Sequence, residues 1–206
     1  MCHDMPLVPP PPLFQGGGGE RSILGKINSR DKGAVGEREL ANILKEYGYD
    51  TRRGQQFCGA NGDADVIGLP GIHIECKRVE DLNIHEAMDQ AINDSGARNM
   101  PFDYELPTVF HRKNKCEWLV TMQSSDFLEM YDNYKTRLVY VFQKQSKRTR
   151  LYAWLDKAKE SSKTLNYAFP LIKHSKDGIV WLSTTRLEDW IKIYREWEAG
   201  NAIEQE

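Results

Sequence analysis

NGDADVIGLPGIHIECKR, residues 61–78, holds two runs rich in β-branched residues, Asp65 to Leu69 and Ile72 to Lys77, which meet at Leu69-Pro70-Gly71. Two such runs around a Pro-Gly step read as a β-hairpin. Charged side chains interrupt the apolar runs: Asp65 opens the first, while Glu75 and Lys77, two residues apart, share one face of the second. The turn decides whether these charges meet. A two-residue Pro-Gly turn pairs Asp65 with Cys76 and sends Asp65 and Glu75 to opposite faces. A three-residue loop, with Pro70 inside a type I turn and Gly71 left-handed at a bulge, pairs Gly68 with Ile72 and Asp65 with Glu75. Pro followed by Gly suits the longer loop, so two carboxylates and an ammonium are expected on one side of the hairpin.

Working outward, Leu40, Ala41, Leu44 and Tyr47 recur at helical spacing and predict a helix over Asp31 to Tyr47. Glu37 falls in that apolar stripe, whereas Glu39 points away. A carboxylate on a buried face needs a reason, and three stay open from the helix alone: favourable placement near the positive end of the helix dipole, a position at one edge of a broad stripe, or membership of a site. A strand over Tyr49 to Arg53 and a loop from Gly54 to Gly62 lead into the hairpin. After it come a helix over Ile84 to Ile92, capped by Asp81 or Asn83, and a polar loop from Asn93 to Glu105. Strands over Pro107 to His111 and Cys116 to Met122, joined by the basic turn Arg112 to Lys115, precede a short helix near Asp126 to Tyr131. This mixed order implies an α/β domain with a central mixed sheet.

Glu37, Asp65, Glu75 and Lys77 together offer hard oxygen ligands and an ammonium, without His or Cys. Such donors select Mg²⁺, with Mn²⁺ as a substitute, and Mg²⁺ keeps several waters and binds substrate phosphate. The lysine can orient or deprotonate a water, or offset charge on a phosphate in flight. Asp63 rivals Asp65 as a ligand, since the two share a face in an extended segment; Asp65 is preferred because it abuts the apolar run. An EF-hand over Asn61 to Asp65 fails on the spacing of its glycine and glutamate.

Gly36-Glu37-Arg38 on a helix, Asp65 before Val66-Ile67, and Glu75-Cys76-Lys77 resemble the PD-(D/E)XK nuclease superfamily. SRDKGAVGERELANILKEYGYD, residues 29–50, followed by GDADVIGLPGIHIECKRVE, residues 62–80, is most similar to archaeal-type Holliday junction resolvases and their phage relatives. The resemblance covers residues 29–131. It implies a restriction-endonuclease-like αβββαβ core and a Mg²⁺-dependent endonuclease, usually a homodimer. Such an enzyme cuts DNA, here branched DNA, to leave 5′-phosphate and 3′-hydroxyl ends. Position by position, Glu37 matches the helix-borne carboxylate, Asp65 and Glu75 the metal ligands and Lys77 the catalytic lysine; Ala64 stands where the family has Pro. Gln90 resembles the polar helix residue that some members place behind the site. Other nucleases of the superfamily, of restriction, repair or transposase type, share these residues. A catalytically silent DNA-binding or assembly module would have lost a ligand or the lysine.

The chain has 206 residues, a net charge of −2 and a pI near 6.2, so it is not basic throughout, but its cations cluster. Arg30, Lys32, Arg52, Arg53, Arg78, Lys113, Lys144, Lys147 and Arg148 are the candidate phosphate contacts, with Arg150 beside them. His73 and the His85/Asp89 pair read as structural and as an exposed helical pair, and Cys76 as a small core residue. Cys2, Cys58, Cys76 and Cys116 lack the spacing of a zinc site. No run of about 18 apolar residues suggests a membrane span, so an intracellular, cytoplasmic location is expected, the host cytoplasm if phage-encoded. Residues 1–28, with Pro9 to Pro12 and Gly16 to Gly19, read as a flexible leader.

Residues 132–206 exceed the core and predict a C-terminal α/β extension. Pro107 to Tyr131 laid over Pro170 to Tyr194, an offset of 63, gives eight identities in 25, including His111/His174, Trp118/Trp181 and Tyr131/Tyr194. With a strand at Leu138 to Gln143 and an amphipathic helix around Leu151, Trp154, Leu155 and Ala158, this suggests a degenerate partial repeat of the core. At the same offset Glu75 falls on Leu138 and Lys77 on Tyr140, so no second active site is expected. Extending the sheet, making an intramolecular pseudo-dimer and gripping DNA are the roles it could serve, beside that of a structural appendage.

Overall fold

The computed structural model describes residues 29–54, 64–96, 105–132, 139–164 and 169–204. The leader, most of the loop before the hairpin and Asp63 lie outside the described residues. Among them, eight strands form one mixed sheet and five helices cover it. The order begins α1 (Ser29–Glu46), β1 (Arg52–Arg53), β2 (Val66–Ile67), β3 (Ile72–Arg78), α2 (Ile84–Asp94), β4 (Leu106–Arg112), β5 (Leu119–Gln123) and α3 (Ser124–Asp132). It continues β6 (Val139–Gln145), α4 (Leu151–Thr164), β7 (Phe169–Ser175), β8 (Leu182–Arg186) and α5 (Leu187–Glu204). No helix among the described residues is long and apolar enough to cross a membrane.

The sheet is buried on both faces, which is why its central strands read as continuous apolar runs. Ile84, Ala87, Met88 and Ala91 of α2 and Leu151, Trp154 and Leu155 of α4 pack on Val109, Leu119, Ile172 and Leu182. On the other face Leu40, Ala41 and Leu44 of α1, Phe127 and Met130 of α3, and Trp190 and Tyr194 of α5 pack with Ile74, Phe110, Val120 and Met122.

The hairpin adopts the register of the three-residue loop. Val66 pairs with Ile74, and Gly71 is left-handed at φ 70°. A Cβ on Gly71 would also meet the Trp197 ring at 2.9 Å. Strands β1 and β2 are shorter than the sequence suggests. Pairing stops at Val66 because the Asp65 N–H donates to Ile74 O and the Asp65 side chain accepts from the Cys76 N–H, which bends the chain out of the ladder. Strand β5 starts later than expected, at Leu119, since Cys116 N–H closes a turn onto Lys113 O with Lys115 at φ 60°. Helix α2 runs on to Asp94, past the expected start of the polar loop.

The strand order, β1-β2-β3-β4-β5-β8-β7-β6, is palindromic over its last six strands. The segments β3-α2-β4-β5-α3 and β6-α4-β7-β8-α5 have the same order, and parallel pairs β3/β4 and β6/β7 flank an antiparallel β5/β8 seam. Thr121 pairs with Thr184, its own counterpart at an offset of 63, so a pseudo-two-fold axis passes through this pair. Side-chain detail follows the axis. His111 Nε2 lies 2.9 Å from Thr121 Oγ1, His174 Nε2 lies 2.9 Å from Thr184 Oγ1, and the two hydroxyls are 2.7 Å apart. Phe127 stacks on Tyr131 and Trp190 on Tyr194, both with ring planes 9° apart.

One expectation is corrected. Glu75 pairs with Val109 and Lys77 with His111, whereas Phe142 pairs with Ile172 and Lys144 with His174. The offset is therefore 67 on these strands, because the β6-to-β7 connection is four residues shorter than that from β3 to β4. Phe142 corresponds to Glu75 and Lys144 to Lys77, in place of Leu138 and Tyr140.

Candidate active site

Strand β3, the end of the loop before β2, helix α1 and helix α2 each contribute a side chain to one cluster of polar groups. Glu75 and Lys77 alternate along β3 on the face covered by α2, and Glu75 is 4% exposed. Asp65 sits at the entry to β2, its Oδ2 accepting from Cys76 N–H at 2.8 Å. This bond aims the carboxylate toward β3. Glu37, buried on α1, is close enough to repel Asp65. Gly36 lets the helix approach: a Cβ there would meet Arg78 Cβ at 2.9 Å.

Glu75 Oε1 is ion-paired with Lys77 Nζ, yet it is a buried oxygen without a hydrogen bond of regular geometry. Lys77 Nζ also donates to Gln90 Oε1 at 3.1 Å, so α2 sets where the ammonium points. Burial pushes the Asp65 carboxyl above its ordinary value, partly opposed by the Cys76 N–H, with repulsion from Glu37 adding to the rise. Glu75 is raised by burial and by Asp65, against the pull of Lys77. Two adjacent carboxylates with raised pKa values, Glu75 buried and Asp65 half-buried, form a donor set that a hard cation would relieve. Among the described residues no group of three or more His, Cys, Asp or Glu converges to hold a metal by itself. A Mg²⁺ ion needs only one or two carboxylates beside water and phosphate, so Asp65 and Glu75 suffice.

Glu37 is held differently from the other two carboxylates, in an ion pair with Arg53 of β1. Arg53 thus has a partner in Glu37, and both Arg52 and Arg53 are exposed. Arg78 reaches Glu39 at 3.6 Å and Asn114 at 3.4 Å, and Arg112 pairs with the same Glu39. Glu39 therefore ties α1 to β3 and β4. Lys32 is exposed on α1, and the side chain of Arg30 lies outside those described. Lys144, Lys147 and Arg148 lie on or just after β6, the edge strand opposite β1; Lys147 and Lys113 line a separate cavity.

His73 is buried, 3.8 Å from Glu105, and Cys76 packs in the core with its thiol pushed up by burial. In the expected His85/Asp89 pair, His85 is half-buried rather than exposed: its ring meets His174 edge-on at 5.9 Å, with Asp89 acting on it electrostatically. Asp94, one turn after Gln90, is close enough to Glu75 to raise its pKa. The i,i+4 spacing of Gln90 and Asp94 was the signal for it, hidden where the helix was expected to end at Ile92.

In a comparison with family models, residues 28–168 match the family described as "Phage putative PDDEXK endonuclease". No curated protein and no solved structure matches the chain.

Proposed function

The chain belongs to this phage PDDEXK endonuclease family, and on that premise we propose that it is a divalent-metal-dependent DNA endonuclease that resolves branched DNA, with a four-way junction as its first substrate. The observation that carries the reading is the meeting of half-buried Asp65 and Lys77 with buried Glu75, with Lys77 anchored by Gln90. Asp65 and Glu75 would hold Mg²⁺ or Mn²⁺, which when bound would supply Lewis-acid chemistry at the phosphate. Lys77 orients the attacking water and offsets charge on the phosphoryl oxygens as the water oxygen joins phosphorus and the bond to the 3′ oxygen breaks. Gln90 keeps the ammonium in line, and Arg53 holds Glu37 behind Asp65.

Residues 132–206 are read as a degenerate second copy of the βαββα portion of a restriction-endonuclease-like core. Support comes from the palindromic strand order and the self-paired Thr121/Thr184. With Phe142 in place of Glu75, this half supplies no second carboxylate site and serves as an internal partner, so one chain does what a homodimer would.

Four-way junction, flap and linear duplex DNA incubated with Mg²⁺ test the proposal. Preferential cleavage of the junction by wild type, abolished in Glu75→Ala and Lys77→Ala, is expected. No cleavage of any substrate by folded protein would overturn the nuclease reading, and undiminished cleavage by those variants would overturn the site. Equal cleavage of duplex would overturn the branched substrate.

A further inference from the structure

A cavity of about 700 Å³ lies on the pseudo-two-fold axis, on the same face of the sheet as the active site but between α2 and α4. Its lining is itself symmetric. Lys113 and Lys176 are counterparts at the 63 offset, and Asn83 with Arg150, and His85 with Tyr152, at the 67 offset. Four cations, Lys113, Lys147, Arg150 and Lys176, border it against one carboxylate, Asp81. None of these four is in an ion pair among the described residues. The N-termini of α2 and α4 open on the same space, Asn83 capping the first, and add their positive ends. Four cations lined up against Asp81, with Asp89 and Asp177 acting on the lining His85, leave an excess of positive charge that an anion relieves.

We infer that this cavity binds an unpaired segment of DNA strand through its phosphates, as a second contact for the substrate cut at Asp65, Glu75 and Lys77. This deepens the nuclease reading and rests on it. The size selects the ligand: pockets of about 300–1,000 Å³ enclose ligands of nucleotide dimensions, whereas a duplex stays outside. The position selects the polymer over a free anion. Asn83, which lines the cavity, and Gln90, which holds Lys77, lie two turns apart along α2, about 10 Å at 1.5 Å per residue. That span is two or three phosphates along a strand. Burial and the nearby Lys176 ammonium lower the pKa of His85, keeping it neutral in a cavity whose charge comes from the lysines and Arg150.

The test uses full-length protein in EDTA, so that no cleavage intervenes, and reads binding of a short labelled single-stranded oligodeoxynucleotide by anisotropy across a salt series. Lys113→Ala/Lys176→Ala should weaken strand binding at least tenfold and flatten the slope of log K against log salt by about 1.4, about 0.7 per lost contact. Arg150→Ala should act in the same direction. Unaltered strand affinity in the double variant overturns the inference. So does a blunt duplex that binds as well and is weakened equally, or dAMP or inorganic phosphate that displaces the strand at its own dissociation constant, which would make this a small-anion site. Failure of the nuclease reading is seen separately, as absence of cleavage by wild type with Mg²⁺ whatever the strand binding.

Discussion

The His111–Thr121–Thr184–His174 chain at the pseudo-two-fold axis makes a prediction that counting protons sharpens. All four residues are at most 3% exposed, and three short contacts join them. Each contact needs one proton. The hydroxyls supply two, so one imidazole donates from Nε2 and the other accepts there: the symmetric pair must hold opposite tautomers. Neither ring is protonated near neutrality, because burial lowers both pKa values to about 3. Valine at Thr184 keeps the shape, removes two bonds and orphans His174 Nε2, a cost of about 2–3 kcal/mol. Thr121→Val does the same to His111. The double variant orphans both rings but loses the hydroxyl–hydroxyl bond only once, so it should fall short of the sum by about 1 kcal/mol. Urea unfolding at constant m reads all three costs, and ¹⁵N shifts of the imidazoles read the tautomers. Single variants within about 0.5 kcal/mol of wild type, strict additivity, or identical tautomers would refute the reasoning.

Three further outcomes are expected. Since His111 and His174 have folded pKa values near 3 against about 6.5 unfolded, the unfolded chain binds more protons and stability falls as pH drops below about 6.5. Between neutrality and pH 5 the pair should cost about 4 kcal/mol, and His174→Gln should remove about half of that slope in urea titrations; the raised carboxyls Asp65 and Glu75 act oppositely, gaining stability as pH falls through their folded values. Gly71→Ala, which forces a side chain into the left-handed region and against Trp197, should destabilise by about 2–4 kcal/mol in the same unfolding assay. Gln90→Leu frees Lys77 and should lower kcat for DNA cleavage about tenfold with KM unchanged; a changed KM alone would mean that Gln90 binds DNA instead.

How much of this could be read without coordinates depends on whether the cause is local. Pro70-Gly71 and the two-residue alternation are local, so the hairpin register, and with it the placing of Asp65 near Glu75, follows from the sequence. The helical stripe likewise carries Glu37 inward. The matches at an offset of 63 suggested the second βαββα unit proposed for residues 132–206, because a buried Thr and His, Thr121 with His111 and Thr184 with His174, need the same surroundings in both halves. Whether side chains from distant elements meet is another matter. That Gln90 holds Lys77, that Arg53 takes Glu37, that Glu39 clamps Arg78 and Arg112, and that Asp94 stands by Glu75 all depend on how α1 and α2 dock on the sheet. The four-residue shift that aligns Lys144 with Lys77 was invisible for the same reason: strand pairing sets it, and a gap in a connection leaves no trace in spacing. Sequence determined which charges belong to apolar strands and which face they share, since backbone geometry alone decides that. Tertiary structure decided which of those charges are partnered and which four cations surround an open cavity, since only packing brings remote side chains within reach.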